Sequence, residues 1–274
     1  LDDRRGWYRY HRLFAELLRL RLLEAGAPAD APALHRRAVA WYAAQGMLPE
    51  AIQHALRAEE FEAAAGLIEQ AAPDAWRQGE LVTARDWLEA LPTASRASRP
   101  MLTIYLATIR FLRAESFARI EALIEEASQV DAAGRYAGEV ALLNSVLAMY
   151  RGDTSAGLDL ARLAVERIAP DSLFHGLATR VLSGMHLMSG DLASAERLLE
   201  QDVADSERAG DRLGRSASLR RLGSLALLRG ELRKAETYYQ RALDLSRDVD
   251  GRLWPVAGRV ISHLADIDLE RNEI

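Results

Sequence analysis

The sequence predicts an all-α protein, a superhelix of stacked α-α pairs, and three observations carry that prediction. First, the 274 residues are 49% hydrophobic and 27% charged, the balance of a chain able to bury a sizeable interior. Ala, Leu, Arg and Glu, all strong helix formers, dominate over the β-branched types that favour strands. Second, a short break recurs at Arg151-Gly152-Asp153, Ser189-Gly190-Asp191, Arg229-Gly230-Glu231 and Arg271-Asn272-Glu273, in steps of 38, 40 and 42 residues. Third, apolar residues between the breaks recur at helical spacing, as in Leu219, Leu222, Leu225 and Ala226, then Leu232, Ala235, Tyr239, Ala242 and Leu243.

In chain order, Gly6-Trp7-Tyr8-Arg9-Tyr10-His11-Arg12-Leu13-Phe14 feeds a helix striped by Leu13, Phe14, Leu17 and Leu18. Leu34-His35-Arg36-Arg37-Ala38 begins another. Residues 28–92 read as an irregular helical arm, with one helix led by Pro49, helices around Trp41, Phe61 and Trp87, and breaks at Glu59-Glu60 and Gln78-Gly79-Glu80. Leu91-Pro92 ends the arm. The polar segment Thr93 to Arg99 reads as a linker, with Pro100 near the first position of the next helix, where its missing N–H costs nothing.

Residues 93–274 then carry the repeats. In each break the Gly or Asn suits the left-handed position that ends a helix, and the acid after it suits the start of the next. Gly134, Pro170, Gly210 and Gly251 fall about midway between these breaks and mark the turns between repeats, so each repeat is two helices. The last repeat is expected to be truncated at Ile274.

Leu222-Gly223, Gly230-Glu231-Leu232, Ala235, Tyr239 and Ala242-Leu243 resemble the tetratricopeptide consensus in type and spacing. Ser145, Ser183, Gly223 and Ala265 recur where that consensus places a small residue between closely approaching helices. The departure is the period of 38–42 residues rather than 34, which implies longer helices and a flatter superhelix. A second resemblance rests on the opening segment together with Trp41-Tyr42, Gln45-Gly46 and Glu50-Ala51-Ile52-Gln53-His54-Ala55-Leu56. It is to MalT-type transcriptional regulators, at the junction between a winged-helix module and the repeat domain.

That resemblance implies that residues 1–27 are the C-terminal end of a winged helix and that the repeats are the sensor of a LuxR-family, ATP-dependent activator. In such regulators a nucleotide-binding module comes first and a helix-turn-helix last. Neither is expected within this chain, which has no G-x-x-x-x-G-K-[ST] loop and no initiating Met. ATP is therefore expected only in a missing module, and DNA contact only through a missing C-terminal one.

Net charge is −5 with a pI near 5.8, which gives the whole chain no electrostatic pull toward nucleic acid or anionic membrane. The N-terminal Arg4, Arg5, Arg9, Arg12, Arg19 and Arg21 are locally basic, but in the MalT-type arrangement that module serves packing. Without cysteine there is no disulfide framework and no thiolate site, which fits a reducing, cytoplasmic home. No apolar run approaches a membrane span. H-E-x-x-H, G-x-S-x-G and G-x-G-x-x-G are absent and the six histidines lack metal-ligand spacing, so binding is expected rather than catalysis, with no metal.

Trp41, Trp76, Trp87, Tyr238 and Tyr239 lie in apolar company and read as core. In stacked helix pairs the first helix of each pair lines the concave face, where such arrays bind. Registering each first helix on its break points Met149, Tyr150, Arg180, Gly184, Arg220, Ser224, Arg259, Ser262 and Asp266 into that groove. Arg180 and Arg220 share one register. They would repel unless a groove acid such as Asp266 or Glu139, or an anionic or polyhydroxyl ligand, sits between them.

The leading expectation is thus an effector-sensing and oligomerising domain that binds a small-molecule inducer. The alternative is a docking scaffold that holds a peptide or partner protein in the same groove. Self-association stays open.

Overall fold

The structure is a computed structural model that describes residues 13–14, 17–18, 20–21, 31–113, 115–131, 134–247, 251–254 and 257–270. Fourteen named helices are found among the described residues, with an isolated antiparallel bridge between Arg247 and Leu253 as the β-type pairing. The chain divides into two compact units, residues 1–67 and 68–274.

The first unit contains α1 (Ala31–Ala44), α2 (Leu48–Arg57) and the opening of α3 (Phe61–Arg77). Ala51, Ile52 and Ala55 form the fully buried face of α2, and Ala64 and Ala65 are buried on α3. Small residues at that spacing let backbones approach closely, which suits short helices with little side-chain volume to bury. The expected break at Glu59-Glu60 is present, and Glu59 holds φ 57° without being glycine. Leu13, Phe14, Leu17 and Leu18 are helical and exposed. The expected winged-helix remnant and most of its arginines lie outside the described residues.

The second unit continues with α4 (Leu81–Ala90), α5 (Thr93–Ala97), α6 (Pro100–Leu112) and α7 (Phe117–Val130). It then runs through α8 (Ala137–Arg151), α9 (Thr154–Arg167), α10 (Leu173–Met188), α11 (Leu192–Ala209), α12 (Arg212–Leu228), α13 (Leu232–Leu245) and α14 (Ala257–Glu270). Each helix packs on its sequence neighbours from α6 onward, and α6, α8, α10 and α12 also touch in succession. That is the stacking of helix pairs the repeat ladder predicts. Pro100 opens α6 as expected, whereas the supposed linker before it forms a five-residue helix of its own.

The breaks form as their chemistry demands. Gly152, Gly190, Gly210, Gly230 and Gly251 all have φ between 68° and 85°, the left-handed region where a Cβ is penalised. The carboxylates of Asp153, Asp191 and Asp211 accept from backbone N–H groups three residues on, at 3.0, 3.0 and 2.8 Å. Glu231 holds the equivalent place before α13 without such a bond, because its chain is one methylene longer. The Asn272 break lies outside the described residues.

Close helix approach is enforced by the small residues the consensus assigned to it. A Cβ on Gly223 would fall 2.7 Å from the ring of Tyr239, which is itself fully buried between α12 and α13. Ser145 is also fully buried and donates to the Gly157 carbonyl at 2.7 Å, joining α8 to α9. Ser183 is buried and Ala265 is exposed. Leu219, Ala226, Ala235, Ala242, Val260 and Ile267 surround Tyr239 in one continuous apolar cluster. At about 25 cal/mol per Å² of apolar surface, clusters of this kind supply the main driving force for stacking the pairs.

Candidate functional site

Three arginines from the first helices of successive repeats line one space; Arg180 and Arg220 share a register, whereas Arg259 sits three residues before the equivalent position, Ser262. Arg180 on α10, Arg220 on α12 and Arg259 on α14 all line one cavity of about 420 Å³, a volume suited to a small organic molecule. The front of the second unit supplies another wall, with Trp76 from α3, Gly79, Glu80, Leu81 and Val82. Leu112 and Arg113 from the end of α6, Leu177, Leu213, Ser216, Ala217, Val260 and Trp254 complete it.

The turn between α3 and α4 meets the segment before α14 directly. A Cβ on Gly79 would sit 2.9 Å from the Trp254 indole, so only glycine leaves room for the ring, and its φ of 77° makes the turn as well. Trp254 is held from the other side by the Arg212 guanidinium, 5.1 Å from the ring centroid. Arg212 also donates to the carbonyls of Leu245 and Arg247 at 3.2 and 2.6 Å, which ties down the loop that carries the tryptophan.

The three arginines are not equivalent. Arg180 is 4% exposed and its Nη1 donates to Asp202 on α11 at 2.8 Å, so its charge is matched inside its own helix pair. Ser218 donates to the same carboxylate oxygen, and Arg221 donates to the Arg180 backbone carbonyl. The carboxylate partner is therefore Asp202, neither Asp266 nor Glu139. Burial, with the neighbouring charges of Arg220 and Arg180, lowers the Arg221 guanidinium to about 9.

Arg220 differs: its guanidinium has no carboxylate within ion-pairing range and no hydrogen bond among the described residues. Burial lowers its pKa, and the like charge of Arg259 lowers it further. Arg259 is exposed on α14. The cavity lining contains a single carboxylate, Glu80, and Arg113 is engaged with Glu115 at 3.4 Å. Trp76 contributes a different irregularity, since it is 2% exposed and its buried Nε1 donor finds no acceptor among the described residues.

The other groove candidates lie elsewhere. Tyr150 is half exposed and packs on Phe117 with ring centroids 4.0 Å apart, and neither Tyr150 nor Met149 lines the cavity. Ser224 donates to the Arg220 carbonyl at 3.2 Å and lies 3.1 Å from the Tyr239 hydroxyl. Gly184 is half buried and Ser262 is exposed, both outside the lining. Asp266 lies 3.8 Å from His263, whose ring stacks on Tyr239. Burial and the nearby Arg220 lower the His263 pKa.

The aromatics expected in the core divide. Tyr239, Trp76 and Trp87 are buried, although Trp76 also lines the cavity, while Trp41 is 47% exposed and edge-on to Tyr42. Asp202, Arg221, Trp254 and the wall from Trp76 to Val82 are functional neighbours that the register of first helices does not reveal. Asp202 sits on a second helix, and the wall comes from the irregular part of the chain. Among the described residues, no cluster of His, Asp or Glu could hold a metal ion, and no helix is long and apolar enough to cross a membrane.

Residues 138–274 match the family model described as the MalT-like TPR region. Over 111 residues the chain is also 37% identical to the serine/threonine-protein kinase PknK of Mycobacterium tuberculosis and to that of Mycobacterium bovis. The aligned stretch covers 40% of this chain but 10% of the kinase's length.

Proposed function

We propose, from the premise that this chain belongs to the MalT-like TPR region family, that it is the effector-sensing and oligomerising part of a MalT-like transcriptional activator of the LuxR family. Its inducer occupies the cavity lined by Arg180, Arg220 and Arg259. Such a protein works by binding in the cytoplasm, leaving ATP and DNA to other modules.

The observation that carries this reading is the convergence of arginines from the first helices of three successive repeats on a cavity of small-molecule size. A ligand there touches α10, α12 and α14 at once, so its binding energy acts on the joints between pairs. That coupling is what a sensor requires, since a ligand shifts a conformational equilibrium only by its difference in affinity for the two states.

A thermal-shift screen of small metabolites tests the reading. A ligand at about 100 times its Kd contributes about 2.7 kcal/mol, or roughly 5–11 °C for a unit of this size. Ala217→Trp, which fills the cavity from its lining, should abolish the shift. A screen without any shift, or a shift that survives Ala217→Trp, overturns the reading.

The likeness to a protein kinase favours a second reading, in which the same groove holds a peptide or partner protein. It predicts a partner whose capture Ala217→Trp weakens, while no small metabolite shifts the melting temperature.

A further inference from the structure

We infer that the cavity takes a small organic anion, with a carboxylate or phosphate head between Arg220 and Arg259 and a flat apolar body against Trp76, Trp254 and Leu81. The inference rests on the small-molecule reading above and specifies the chemistry of the ligand.

Two features of the cavity converge on an anion. Among the described residues Arg220 and Arg259 line the same space without a carboxylate partner, whereas Arg180 is already neutralised by Asp202. The like charge of Arg259 repels Arg220, and burial disfavours the charged form of Arg220. An anion between them reverses both effects through charge-assisted hydrogen bonds.

The same inventory argues against a polyhydroxyl ligand. Hydroxyl groups need acceptors as well as donors, and the side chains of this lining are donors almost throughout. Ser216 is committed to the Ala242 carbonyl at 2.9 Å and to Ser246 at 2.8 Å, which leaves Glu80 as the acceptor side chain. A polyol would also leave the Arg220 and Arg259 charges uncompensated. Apart from Gly79 and the engaged Arg113 and Arg180, the rest of the lining is Leu, Val, Ala and two indoles, a surface for an apolar or aromatic body.

Isothermal titration of the full chain with naphthalene-2-carboxylate, its uncharged amide and inorganic phosphate tests the inference. The carboxylate should bind about tenfold or more tightly than the amide, because the anion gains charge-assisted bonds that the amide lacks. Phosphate alone should bind more weakly than the carboxylate, since it lacks the apolar body. Arg220→Gln and Arg259→Gln should each shrink the preference for the carboxylate several-fold while the amide affinity stays put. Arg259 is exposed, so its variant keeps the fold even if the variant of the half-buried Arg220 does not.

Equal binding of carboxylate and amide, or a preference that survives both substitutions, overturns the inference and leaves the small-molecule reading standing. Failure of all three probes to bind overturns the anion class, while the metabolite screen with Ala217→Trp decides the sensor reading separately.

Discussion

Removing the Asp202 carboxylate should unfold the protein far more readily than removing any exposed charge. Asp202 is 2% exposed and neutralises Arg180, itself 4% exposed, while Ser218, fully buried, donates to the same oxygen. In Asp202→Ala a buried guanidinium loses its counter-charge, which costs about 3–5 kcal/mol. The stranded Ser218 hydroxyl adds about 1–3 kcal/mol if it finds no other acceptor. The first loss alone should lower Tm by roughly 6–20 °C for a unit of about 200 residues.

The triple variant Arg180→Met/Asp202→Leu/Ser218→Ala removes the whole polar set together and should recover most of that loss, since apolar replacements of buried ion pairs are often neutral. Urea unfolding followed by far-ultraviolet circular dichroism and tryptophan fluorescence measures both variants by linear extrapolation. An Asp202→Ala protein within about 1 kcal/mol of the parent, or a triple variant as unstable as the single one, would refute the account of Arg180 as an internally neutralised charge.

Gly223→Val should destabilise by about 1–3 kcal/mol, because its side chain must displace the Tyr239 ring; the urea midpoint reads this, and an unchanged midpoint removes the close-approach argument. Asp211→Ala deletes the 2.8 Å bond to the Gly214 N–H at the start of α12 and should cost about 1 kcal/mol, with Asp211→Asn largely restoring it in the same assay. His263 has a folded pKa below its usual value, so the unfolded chain takes up its proton first and stability falls as pH drops below about 6.5. His263→Gln should flatten that part of the Tm-against-pH curve, and an unaltered slope counts against the assignment.

The helix pairs were legible in the sequence because their punctuation is local. A glycine followed by an acid ends one helix and caps the next with groups no more than three residues apart, as Gly152-Asp153 and Gly190-Asp191 do. The shared register of Arg180 and Arg220 was legible for the same reason, since the first helices repeat with nearly constant spacing, whereas Arg259 reaches the cavity from one turn earlier in its helix. The partner of Arg180 was not, because Asp202 faces it from a second helix, and pairing across helices depends on crossing geometry that no periodicity encodes.

Tyr150 shows the opposite failure. Its register points it toward the groove, yet the adjacent Phe117 offers an aromatic face at 4.0 Å and takes it elsewhere. The wall from Trp76 to Val82 was not legible because it is formed by a turn in the irregular part of the chain, which meets Trp254 through the curvature that stacked pairs accumulate.

The Gly79 and Trp254 contact gives that curvature an arithmetic. In stacked helix pairs such as those from α6 to α13, each pair adds a small rotation to the one before it and the rotations are in series, so a change too slight to notice at any one joint is summed by the time the chain reaches Trp254. The meeting of glycine and indole is thus the scale of a vernier: the gap there reads the total of all the joints between. A molecule lodged beside it is clamped by the whole stack, and a substitution deep in a distant joint, touching neither wall, resets the width it meets.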